Sequence, residues 1–60
     1  MKIKITDIDG NEKETTFDKF SAAYELEDDS YTEMLVSDLE TYGETVHGLI
    51  DGQIKIVKID

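Results

Sequence analysis

Asp7, Asp9 and Asn11 place oxygen-bearing side chains at the first, third and fifth positions of a would-be calcium loop in TDIDGNEKETTFD, Thr6 to Asp18. Hard cations take such ligands, but the loop also needs a glycine at its sixth position, an apolar residue at its eighth and a bidentate glutamate at its twelfth. Those positions hold Glu12, Glu14 and Asp18. The Asp9-Gly10 dipeptide inside an alternating run is instead a hairpin signal, and the reading taken is a turn. A second oxygen cluster, Glu27-Asp28-Asp29, has the right chemistry for Mg²⁺ or Ca²⁺. Acids ahead of a helix are more often its solvated, dipole-favoured N-terminus, so no metal and no cofactor is expected. The single histidine, His47, falls on an expected strand as a surface or rim residue, with no cysteine and no base-orienting set around Ser21, Ser30 or Ser37. A base alone is not a site, and an enzyme is not expected.

The elements that would position these groups follow from periodicity. MKIKIT alternates apolar and polar residues, the mark of a half-buried strand with Met1, Ile3 and Ile5 on its core face. Thr15 and Phe17 are its expected partners, which requires an odd loop; a three-residue loop with a bulge and Gly10 or Asn11 at positive φ meets that. A two-residue Asp9-Gly10 loop would instead set Glu14 against Ile5. In SYTEMLVSDLETYG, Tyr31, Met34, Leu35, Leu39 and Tyr42 recur at helical spacing. Ser30 and Glu33 stand at capping-box spacing, and Gly43 suits the terminus. A helix is expected over 30–42, with Glu33, Ser37, Glu40 and Glu44 toward solvent and the three tyrosines at the edge of the core. DKFSAAYELED fits either helix or strand, and its alanines lean it to helix. The tail ETVHGLIDGQIKIVKID reads as a second hairpin turning at Asp51-Gly52, although Ile54 and Ile56 face one way and Val57 and Ile59 the other. A bulge or burial of both faces would reconcile them. The fold class is α+β: one domain over residues 1–60, with N- and C-terminal β-hairpins forming an antiparallel sheet packed by one or two helices.

Sixty residues bury only about 60% of their unfolded surface, and without cysteine there is no disulfide staple. Small unstapled chains often gain stability by association, which makes a homodimer an expected state. No stretch nears the roughly 18 apolar residues of a membrane span, and a cytoplasmic location is the default expectation. The net charge is −9, all six basic residues are lysine, and arginine is absent. Direct nucleic-acid binding is therefore opposed by charge. The charge is also segregated: no lysine lies between Phe20 and Ile54.

That acidic middle supplies the candidate partner-binding face: Glu25, Glu27, Asp28, Asp29, Glu33, Asp38, Glu40 and Glu44. Helix geometry would space its carboxylates roughly 6 to 10 Å apart, the order of phosphate spacing along a duplex. In general form the chain resembles the small acidic inhibitors encoded by phages and mobile elements; the likeness is of type, carried by no motif. It implies a non-enzymatic inhibitor or regulator that docks on a basic protein, a nucleic-acid-binding protein or nuclease, by DNA mimicry. The competing expectation is a salt-insensitive interaction or self-association module working through an exposed strand edge, IKIVKI, with Lys55 and Lys58 as guards and the acidic face serving solubility.

Overall fold

The computed structural model describes Met1–Asp60. Its elements run β1 (Lys2–Thr6), β2 (Glu12–Thr16), α1 (Phe17–Ala23), α2 (Asp29–Tyr42), β3 (Glu44–Leu49) and β4 (Gly52–Lys58). The strands form one antiparallel sheet in the order β2-β1-β4-β3. This is the expected α+β arrangement of two hairpins and two helices. The isoleucine-rich strands pair with each other at the centre, while the charged EKETT strand takes one edge, where charge blunts stray pairing.

Both helices cover the same face of the sheet. Ile3, Ile5, Ile54 and Ile56 point from β1 and β4 toward Phe17, Phe20, Leu35 and Leu39, and these eight residues form the core. No polar side chain is fully buried. The opposite face is bare. Lys4 stands beside Val57 there, and Thr6 beside Lys55. This resolves the tail's two apolar faces without a bulge and without burying both: Val57 is half-buried and Ile59 exposed on the open side, where lysine stems shelter apolar neighbours.

The first hairpin keeps odd residues opposite odd: Ile3 pairs with Thr15 and Ile5 with Lys13. The loop is odd and three residues long, as expected: Asp7 donates to the Asn11 carbonyl at 2.9 Å and its own carbonyl accepts from the Gly10 amide at 3.0 Å, leaving Ile8-Asp9-Gly10 between the two strands' last bonded pair. The Asp7 carboxylate braces this turn, accepting from the amides of Asp9 at 3.0 Å and Asn11 at 2.9 Å. This local side-chain scaffold is an Asx turn, and Gly10 supplies the positive φ of 88°. The calcium-like spacing of Asp7, Asp9 and Asn11 is thus the signature of a turn. Met1, expected on the core face, is 37% exposed; it lies at the strand end, where Phe17 donates its amide to the Met1 carbonyl and the chain turns into α1.

The second hairpin turns one residue earlier than expected. Leu49 pairs with Gly52, leaving Ile50-Asp51 as the two-residue loop. Gly52 is then a paired residue over which the Ile8 side chain lies, 3.6 Å from where a Cβ would be. The segment IKIVKI is not an edge: β4 is hydrogen-bonded on both sides, to β1 and to β3. The free edges are β2 and β3.

Candidate docking surface

The ambiguous segment 18–27 is helical where its phenylalanines need it to be. Thr16 caps α1 by accepting from the Lys19 amide, and Phe17, Phe20 and Tyr24 lie on one side, with the Phe20 and Tyr24 rings 4.9 Å apart. The helix ends in a Schellman motif: Leu26 donates to the Ser21 carbonyl and Glu25 to that of Ala22. The residue in the left-handed position is Glu25, with φ of 54°, where glycine is the usual occupant. Leu26 then folds back onto the core.

Helix α2 begins earlier than its capping-box spacing implies. Its cap is Asp28, not Ser30: the Asp28 carboxylate accepts from the amides of Ser30 at 2.9 Å and Tyr31 at 3.2 Å. A charged acceptor taking two amides outbids a serine hydroxyl two residues on. Asp29 occupies the first turn, where the helix dipole favours it. Gly43 ends the helix in the left-handed conformation, as expected, with φ of 81°.

Leu35 and Leu39 turn inward, and the two flanks of α2 diverge. One flank faces α1 across an open groove of about 570 Å³, floored by Phe17 and Val36 and rimmed by Asp18, Glu33 and Glu40 together with the hydroxyls of Ser21, Thr32 and Ser37. The other flank faces β3. Tyr31 reaches His47 there, hydroxyl to Nδ1, at 2.7 Å, and Asp38 accepts from the Thr45 hydroxyl at 3.1 Å.

The eight acids singled out in the sequence therefore do not make one face. Glu33 and Glu40 share the groove with Asp18. Glu25, Glu27, Asp28 and Asp29 are exposed along the connection between the helices and the start of α2. Asp38 is on the far flank, half-buried and already bonded. Glu44 is not on the helix at all: Gly43 stops α2, and Glu44 opens β3 opposite Val57 with its carboxylate 4.0 Å from the Lys55 ammonium. The broader segregation holds, because the segment from Phe17 to Gly43 carries eight acids against one lysine, Lys19.

Two features escaped sequence reasoning. Asp18 enters the sequence reading only as the twelfth position of the calcium-like loop, although its place in the first turn of a short helix is legible from the Thr16 cap. His47 lies at the rim of the core, as expected, but with more partners than its spacing shows. It is half-buried in an aromatic cluster with ring centroids 5.8 Å from Phe20, 5.7 Å from Tyr24 and 5.6 Å from Tyr31. Tyr42, by contrast, leaves the core edge and is 75% exposed. Outside the site, the Asp60 carboxyl is held below its ordinary value, chiefly because the Lys2 amide donates to Oδ2 at 2.8 Å, with help from the chain's amino group and Lys58.

No helix is long and apolar enough to cross a membrane. Comparison with protein-family models, curated proteins and solved structures finds no match to this chain.

Proposed function

We propose that this chain is a small acidic, non-enzymatic binding protein that inhibits or regulates a basic, nucleic-acid-binding partner by occupying the surface that partner offers to nucleic acid. The observation that carries the reading is the groove between the helices. Asp18, Glu33 and Glu40 set three carboxylates around it, and hydroxyls and a little apolar floor lie between them. Glu33 and Glu40 are two turns apart, about 10 Å along the helix. Such a rim suits lysine and arginine side chains that otherwise hold phosphates, with the hydroxyl oxygens accepting from those cations as phosphate oxygens do. The rest of the helical layer adds negative potential at longer range, which speeds encounter with a positive surface.

The test is capture followed by competition. The immobilised chain is loaded with lysate from its source cells at low salt and then washed either with rising salt or with duplex DNA at constant salt. A partner released by both washes supports mimicry. A partner that resists both places the interface elsewhere and makes the acidic layer a solubilising surface.

A further inference from the structure

The two free edges of the sheet are built to opposite rules, and we propose that β3 is the self-association edge of this protein, pairing antiparallel with β3 of a second copy to make one continuous eight-stranded sheet. The backbone pattern fixes which groups are free. Lys58 donates to the Gly43 carbonyl at 2.8 Å, so in this antiparallel ladder Gly43, Thr45, His47 and Leu49 exchange hydrogen bonds with β4. Glu44, Val46 and Gly48 therefore turn their amides and carbonyls outward. By the same alternation, starting from Phe17 and Met1, the outward residues of β2 are Glu12, Glu14 and Thr16.

A second copy suits β3 and not β2. Centred on Val46, β3 sets Val46 against its own copy, a favourable β-branched cross-strand pair, and Glu44 against Gly48, with no carboxylates opposed. The one register of β2 that pairs its whole length opposes Glu14 to Glu14, like charges that repel across a ladder. Beside β3, the surface is apolar as well. The four most exposed large hydrophobic residues of the molecule are Ile50, Tyr42 at 75%, Val46 at 51% and Met34 at 49%. Val46 is on β3 and Ile50 in its turn, while Met34 and Tyr42 stand one helical turn to either side of Asp38, on the α2 flank that bonds to β3. The acidic groove lies on the other flank, so two copies joined here keep their densest charge apart.

Sedimentation equilibrium in about 0.15 M salt, where charges beyond roughly 8 Å are screened, tests this over a concentration series. The wild type is expected to approach twice the 6.8 kDa chain mass. Val46→Lys places two ammonium groups face to face, and Val46→Pro removes an outward amide while leaving the bonds to β4 untouched. Each is expected to raise the dissociation constant about tenfold or more, with circular dichroism melts confirming that the monomer stays folded. Glu14→Pro on the other edge is expected to leave association unchanged. A chain that remains monomeric at millimolar concentration overturns the proposal. So does a dimer that tolerates both Val46 variants, or one that Glu14→Pro dissolves.

Discussion

The two flanks of α2 share a helix, a cap and a core, yet they present different chemistry. Toward α1 the helix offers Glu33 and Glu40 over a groove that Asp18 completes. Toward β3 it offers Tyr31 and Asp38, both bonded to the strand, with Met34 and Tyr42 exposed beside them. A fourteen-residue helix with only Leu35 and Leu39 buried has most of its circumference free. Because residues three and four apart share a side, that circumference divides into an acidic strip and an apolar strip. A high net charge and a sticky edge are thereby kept from interfering. The difference teaches that the −9 charge is not a uniform coat: it is concentrated on the helical layer, and of the two open sheet edges it thins along β3 and not along the charged β2.

The largest expected effect breaks both flanks together. Leu35 is fully buried beneath them, and Leu35→Ala should cost about 2 to 5 kcal/mol, read from the urea midpoint. In a domain whose core has eight residues, that is enough to abolish partner binding and association alike. Next comes the cap that fixes where α2 starts. Asp28→Ala frees two amides and should cost about 1 kcal/mol, whereas Ser30→Ala, which replaces no cap, should be close to neutral in the same titration. Removing backbone strain gives a smaller effect of opposite sign. Glu25→Gly relieves the left-handed conformation at the end of α1 and should raise stability by up to about 1 kcal/mol. If Glu25 contributes to docking, the same variant will bind its partner more weakly while melting higher, the trade expected of strain held at a working site.

The smallest effect belongs to neither flank. Asp60 has a lowered carboxyl pKa in the folded chain. Its contribution is present above the unfolded value and is lost as pH falls through the folded one. Asp60→Asn should therefore lower the melting temperature slightly at neutral pH, and the variant and wild-type curves should converge in acid, below the ordinary value of 3.8.

Much of the fold was legible because local signals agreed. The alternation of MKIKIT, the periodicity from Tyr31 to Tyr42 and the glycine at 43 each specify an element in its own terms, and each element forms. The errors come from competition between signals of similar strength. Ser30 and Asp28 both suit a cap, and the carboxylate with two amides in reach prevails. Asp51-Gly52 and Ile50-Asp51 both allow a tight turn, and the pairing of β4 with β1 decides between them. Strand order was hidden: nothing local in IKIVKI says that β1 will lie beside it. The acidic face was half legible. Composition located the charge, and the legible stop at Gly43 already sets Glu44 beyond the helix, but only the packing of α1 brings Asp18 to Glu33 and Glu40.

The division of labour between the flanks is tested most directly by one paired binding measurement. A partner recovered by capture is titrated against the wild type, against Glu33→Lys/Glu40→Lys and against Val46→Lys, all checked for an unchanged melt. The expected result is that the double charge reversal weakens binding by at least about tenfold, a loss of roughly 1.4 kcal/mol or more, and abolishes competition by duplex DNA, while Val46→Lys binds as the wild type does. The contradicting result is the reverse: a partner indifferent to Glu33 and Glu40 and lost with Val46 would make the sheet edge the docking surface and leave the acidic groove without that role.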